Sequence, residues 1–310
     1  MKKIPKKRDF RIRRTASGSS TLTFSLPFIA IGVWFLLAFF GALPVPVMDH
    51  GPISNFGLLY GGSIFGAVGF FTFYRAVSSI IIRRRAKKVL ERYFDKPWLA
   101  DHPWRREGVE DSASSRWKKT AMFSIFWFVM LYPFYKFIFI PAGGISFLLV
   151  KLTIFISVGF IITGIALYQY AQYKKFGVGR IAFLDFPFFI GNKVRVLFYN
   201  EKVPRCEATL RYVMEKMEIN SNIPGSSRGG ASPVCYEIYS EKKTFNRVSL
   251  GMGAEMIFDL PEDKTMVNQL IANPIGKPLI KYWELLIESK MPGIDYKTTF
   301  LIPVYGKKTL

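Results

Sequence analysis

Two histidines, His50 and His102, and two cysteines, Cys206 and Cys235, are all the imidazole and thiol that the 310-residue sequence offers to nucleophilic or metal chemistry. Neither histidine stands at ligand spacing from a cysteine, so a zinc site is not expected, and two cysteines do not make a disulfide framework. No histidine occurs after Gly177, which denies any Ser or Cys of that stretch the base it would need as a nucleophile. There is neither a glycine-rich phosphate loop ending in Lys-Ser/Thr nor a nucleophile elbow. The carboxylate pair Glu262-Asp263 follows Pro261 at a turn and Asp295 precedes Tyr296 in another, so both read as turn-capping acceptors. The expectation is therefore no catalytic residue, no cofactor and no metal.

Other residues have types and spacings that point to packing or binding. Gly57, Gly61, Gly62 and Gly66 recur in one apolar segment, with Ala67 and Gly69 beside them, and small residues four apart let helix backbones approach closely. The first expectation is packing on a helix of the same chain, the second a homodimer seam, the third a pore-lining face. Lys136 and Lys151 fall inside apolar segments, near enough to their outer ends for the ammonium to reach the headgroups. The competing reading is a pair lining an anion path. Trp98 and Trp104 stand beside Pro97 and Pro103 and are expected to bury at a membrane interface or against a folded domain.

Half of the residues are hydrophobic and 16% are aromatic, yet the formal net charge is +21. Such a surface asks for lipid, and such a charge asks for headgroups or nucleic acid. Residues 1–20 carry eight bases against Asp9, residues 83–119 carry twelve against six acids, and the stretch after Gly177 carries eighteen against fourteen. The bases border apolar stretches instead of covering one module, which favours anionic lipid headgroups as partners and argues against nucleic acid.

Four stretches reach the roughly 20 apolar residues that span a hydrocarbon core: about Thr23–Leu43, Asn55–Ala76, Thr120–Ile140 and Ser146–Tyr170. The connections Pro44–Ser54 and Pro141–Gly144 contain no Lys or Arg, whereas the N-terminal tail, the 83–119 linker and Lys174-Lys175 are basic. The positive-inside rule then puts both termini in the cytoplasm. The expected organisation is a basic cytoplasmic tail (1–20), a transmembrane hairpin (21–82), a basic cytoplasmic linker (83–119), a second hairpin (120–173) and a cytoplasmic domain (177–310). Within the linker, Arg83–Phe94 reads as a basic amphipathic helix that extends the second span or lies along lipid. Residues 107–116 read as a solvated, mobile loop.

After Gly177 the apolar runs become short and take on period two. Arg180–Asp185, Asn192–Tyr199, Cys206–Met217, Val234–Phe245, Ala254–Leu260, Tyr282–Glu288 and Thr298–Val304 each read as a strand, with a flexible loop at Ser226–Ser232. The expected fold class is thus an α-helical membrane domain of four transmembrane helices followed by an all-β soluble domain, an antiparallel β-sandwich.

Trp283, Pro292-Gly293-Ile294-Asp295-Tyr296, Phe300 and Pro303-Val304, together with Pro97-Trp98-Leu99 and Trp104-Arg105, resemble a family of uncharacterised bacterial inner-membrane proteins. In that family two helical hairpins flank a tryptophan-rich "PWLW" linker and precede an immunoglobulin- or arrestin-like sandwich. The resemblance implies a multi-pass protein of the bacterial inner membrane; it implies no reaction. This sequence departs from the pattern by placing Ala100-Asp101-His102-Pro103 between the tryptophans. The function expected is that of a non-catalytic, membrane-anchored interaction or scaffold protein with a protein partner or a second copy of itself. A channel, transporter or lipid-handling component is the alternative, and a membrane-bound enzyme ranks third.

Overall fold

The computed structural model describes residues 6–8, 18–44, 47–48, 51–52, 55–93, 96–133, 147–220, 230–246, 253–270 and 280–306. In chain order these form β1 (Lys6–Arg8), α1 (Gly18–Phe39), β2 (Val47–Met48), β3 (Gly51–Pro52), α2 (Asn55–Arg92), α3 (Trp98–Asp101), β4 (Val109–Glu110), α4 (Ala113–Pro133) and α5 (Phe147–Phe176). There follow β5 (Arg180–Phe183), β6 (Phe188–Phe189), β7 (Lys193–Tyr199), β8 (Arg205–Asn220), β9 (Gly230–Asn246), β10 (Ala254–Asp259), β11 (Ile280–Ser289), β12 (Tyr296–Ile302) and β13 (Val304–Tyr305). The chain divides into two compact units, one of Met1–Arg14, Ala86–Ala121 and Gly164–Leu310, the other of Thr15–Arg85 and Met122–Thr163.

Among the described residues three helices are long and apolar enough to cross a membrane: α1 over Leu22–Phe39, α2 over Asn55–Arg92 and α5 over Thr153–Phe176. Fewer than one in five residues of each run is buried. Most of their apolar side chains, such as Phe70 at 68% and Phe160 at 66% exposure, face outward. The expected third span begins as α4 and is followed to Pro133, with residues 134–146 outside the described set. The basic stretch from Arg83 continues α2 without a break to Arg92, so of its two expected forms the structure has the helical extension.

The β-rich unit is sandwich-like because its strands alternate. In β7, Val194, Val196 and Phe198 are buried between exposed neighbours, and in β10 Ala254, Met256 and Phe258 repeat the pattern. Successive side chains of a strand point to opposite faces, so one face of the four-stranded sheet β10-β7-β5-β4 is apolar. It meets the five-stranded sheet β1-β9-β8-β11-β12 through Ala208, Leu210 and Tyr212 of β8, Trp283, Leu285 and Ile287 of β11, and Phe300 and Ile302 of β12. A bulge between Tyr212 and Val213 re-aims the later part of β8. Val213, Tyr282, Cys235, Ile280 and Leu301 then form a second cluster, joined by Trp104 and Leu270. Buried polar pairs accompany it: Arg211 donates to Glu284, and Tyr282 Oη donates to Glu215 Oε1 at 2.7 Å.

Several elements depart from the sequence reading. Residues 107–116 are not a mobile loop: Val109 and Glu110 pair with Ile181 and Arg180 as an edge strand, and α4 begins at Ala113. The basic tail supplies β1, whose residues 6–8 lie antiparallel to Glu237, Tyr236 and Cys235 of β9. Residues 230–232 of the expected Ser226–Ser232 loop already belong to β9, opposite Asn220, Ile219 and Glu218. The last two pairings, Val304 with Phe188 and Tyr305 with Phe189, are parallel, unlike the rest of the sandwich.

Gly108 makes the linker strand possible. It is buried, has φ +129°, and a Cβ there would run into the Ile181 carbonyl across the β4–β5 pair. A conformation this specific to glycine costs other residues roughly 1–3 kcal/mol before any clash is counted. Gly108→Ala is therefore expected to destabilise the β-rich unit by about 2 kcal/mol or more, read as a lower midpoint in chemical unfolding followed by tryptophan fluorescence.

Candidate functional site

In the helical unit the glycines of α2 receive α1. A Cβ on Gly61 would enter the Phe35 ring, and one on Gly62 would meet the Leu36 side chain and backbone. The tightest approach is Gly32 of α1, where a Cβ would strike the backbone of Gly66 itself. Gly66 points its own α-hydrogen into open space. Gly57 sits in the first turn of α2. Close backbone approach of this kind gains dispersion contacts along the whole seam. Gly61 and Gly62 meet α1 in this way, and the most demanding member of the seam, Gly32, was not among the residues the spacing singled out. Polar side chains tie the other pair: Ser124 Oγ lies 2.7 Å from Thr163 Oγ1, and the Trp127 indole donates to the Phe155 carbonyl at 2.9 Å. Lys136 and the side chain of Lys151 lie outside the described residues.

The two linker tryptophans converge on Tyr305 in the β-rich unit. Trp98 lies edge-on to Phe189 at 6.2 Å and 5.9 Å from the Tyr305 ring. Trp104 donates its indole N–H to Tyr305 Oη at 2.9 Å, and Tyr305 in turn donates to Asp101 Oδ2 at 3.1 Å. Asp101 Oδ1 accepts from the Leu270 backbone at 2.7 Å. Asp101, between the two tryptophans, adds its own ties from the linker to Tyr305 and Leu270. Burial is the first cause and the Asp101 charge the second of an upward shift in the Tyr305 phenol pKa.

The C-terminal end of α5 is fastened as firmly. Phe176 is 3% exposed within the sandwich core, with its ring 5.2 Å from that of Tyr296. Lys175 Nζ donates to the carbonyls of Pro292 and Ile294 at 2.7 and 3.0 Å, and Gln172 donates to that of Asp295 at 3.0 Å. Trp117 packs edge-on against Tyr170 at 5.1 Å, and Thr120 donates to Gln169. Asp295, read from sequence as a turn acceptor, fulfils that role with the Met291 N–H, and Asp263 does the same for Thr265.

Beside this junction a cleft of about 370 Å³ opens between β4, β5, β7, β8, β9 and β10. Its rim holds Glu110, Arg180, Asn200 and Glu201; Phe198, Val203, Cys206, Phe245 and Ala254 line its interior. No sequence motif marks it, because its walls come from five separated segments. The Cys206 thiol at its wall has its pKa pushed up to about 11 by burial. No group of three or more His, Cys, Asp or Glu side chains with metal-binding geometry occurs among the described residues.

No protein-family model matches the chain. No curated protein matches it either. Among solved structures, part of the chain is similar to the sporulation control protein Spo0M from Bacillus subtilis, with 14% identity and a TM-score of 0.26 over 42% of this chain and 49% of that one. The match therefore spans about half the length of that protein.

Two outcomes follow from these contacts. Gly32→Ala is expected to weaken the α1–α2 pair by about 1–3 kcal/mol through overpacking, while Gly66→Ala, with room for its methyl, changes stability by no more than about 0.5 kcal/mol. Unfolding titrations of the detergent-solubilised protein compare the two. A thiol whose pKa is raised on folding keeps its proton while the unfolded chain gives it up, so its contribution to stability is intact below about pH 9 and is lost as pH climbs towards 11. The phenols of Tyr212, Tyr296 and Tyr305, also shifted up by burial, act in the same direction. Urea midpoints are expected to be flat from pH 7 to 9 and to fall above it, less steeply in Cys206→Val.

Proposed function

We propose that the protein is a non-catalytic, membrane-anchored interaction protein whose β-sandwich works on the cytoplasmic face of a bacterial inner membrane. The observation that carries this reading is the junction at Phe176: an apolar helix long enough to cross a bilayer ends with its last side chain inside the sandwich core. Exposed Phe and Ile side chains along α1, α2 and α5 support lipid as their surroundings, since apolar area of this extent is costly to leave in water at about 25 cal/mol per Å². The cationic tail, the linker and Lys174-Lys175 support a cytoplasmic placement for both termini. Helical hairpins, a tryptophan linker and a sandwich are also the architecture of the inner-membrane family that the sequence resembles.

The alternative reading, a lipid-handling component, is favoured by the cleft beside the end of α5. A reporter fused after Leu310 is expected to be active in the cytoplasm and silent outside it. Crosslinking followed by purification from native membranes is expected to recover a partner, or a second copy of the chain, whose capture requires residues 177–310. Recovery that is the same with that segment deleted would remove the interaction reading.

A further inference from the structure

Residues 6–8 of the basic tail pair antiparallel with the edge of β9, Lys6 opposite Glu237, Lys7 opposite Tyr236 and Arg8 opposite Cys235. They cover three residues of a strand that runs for 17, Gly230–Asn246. A pairing this short is weak. An antiparallel ladder gives three residues about two to four backbone bonds. Each bond contributes only roughly two- to tenfold net, because water offers the same groups bonds of its own. The seat itself is acidic: Glu237 is buried, and so is Glu215, which stands opposite Cys235 on the β8 side. Buried carboxylates favour a cation-bearing segment over an apolar one at this edge.

The same segment suits a second partner. Lys2, Lys3, Lys6, Lys7 and Arg8 put five bases and no acid into the first eight residues. At an anionic bilayer surface each base contributes roughly fivefold to association, so the five together contribute on the order of a thousandfold or more. The strand bonds together offer on the order of a hundredfold. Anionic lipid therefore outweighs the backbone pairing, whereas at a zwitterionic surface the attraction is absent and β9 keeps the strand. α1 starts at Gly18, ten residue steps after Arg8, which is at most about 36 Å of chain. On the membrane reading above, the bases of the tail thus stay within reach of the bilayer that surrounds α1.

We propose that Lys6–Arg8 is a clasp on the β9 edge, closed over zwitterionic lipid and drawn off by anionic phospholipid, so that its release uncovers the backbone of Cys235–Glu237. An uncovered edge is the kind of surface to which an extended segment of another protein adds as a strand. The clasp rests on the membrane reading and deepens the interaction reading, because it names what regulates access to the sandwich.

The test is amide hydrogen exchange of the full chain in nanodiscs of phosphatidylcholine alone or of phosphatidylcholine with phosphatidylglycerol. Peptides containing Cys235–Glu237 are expected to exchange about tenfold or more faster in the phosphatidylglycerol discs. Their protection returns in about 0.5 M salt, where charges are screened within a few ångströms. Residues 240–246 of β9, which pair with β8 and lie outside the β1 pairing, serve as the internal reference and exchange alike in both discs. Deleting residues 2–8 is expected to expose Cys235–Glu237 equally in the two lipids. Lys2→Gln combined with Lys3→Gln, which leaves the strand itself unaltered, is expected to shrink the lipid effect at least several-fold. Equal exchange in both discs for the parent chain, a lipid effect that salt does not reverse, or a deletion that leaves exchange unchanged overturns the clasp. A chain that enters discs of neither composition sinks the membrane reading, a result distinct from loaded discs in which lipid charge changes nothing.

Discussion

Phe176 in the core of the sandwich is the contact on which the rest of the molecule depends. The last aromatic ring of α5 packs against Tyr296, and Lys175 on the carbonyls of Pro292 and Ile294 holds the same turn from outside. The chain leaves this anchor through Gly177, at φ +72°, and enters β5 within a few residues. The cleft opens against Val178 and Arg180, and the linker strand β4 pairs with β5 as soon as β5 begins.

The linker repeats the logic with different chemistry. Its attachment uses an apolar component, the rings of Trp98 and Trp104, and a directional one, the Trp104–Tyr305–Asp101 hydrogen-bond chain. Apolar burial supplies most of the free energy of such a contact but tolerates sliding, whereas hydrogen bonds among half-buried partners select one register. The strap then needs Gly108 to turn into the sheet edge, because no other residue fits that backbone beneath the Ile181 carbonyl. Covering the edge of β5 also removes an unpaired strand border of the kind that invites association between chains.

How much of this was legible in the sequence differs by element. Seven strands after Gly177 were readable because alternation survives any detail of packing: Val194, Val196 and Phe198 are a buried face whichever sheet they meet. The apolar helices were readable from length and composition alone. The β1 and β4 segments were not, since Lys6–Arg8 and Val109–Glu110 are too short and too polar to show a period; they are strands only because β9 and β5 present an edge to them. Trp98 and Trp104 were identified as residues that would bury, while their meeting point, Tyr305, lies about two hundred positions away and carries no signal of its own.

The sequence by itself therefore determined the inventory: which segments are apolar throughout, which alternate, where the positive charge lies, and that histidine and cysteine number two each. Tertiary structure alone decided the juxtapositions. Gly32 became the critical glycine only when α1 and α2 packed, and the cleft formed only when five separated segments met. The physical reason is range. Periodicity and composition are properties of neighbours along the chain, whereas a backbone clash, a shared sheet edge or a rim of mixed charge exists only between residues that folding brings together.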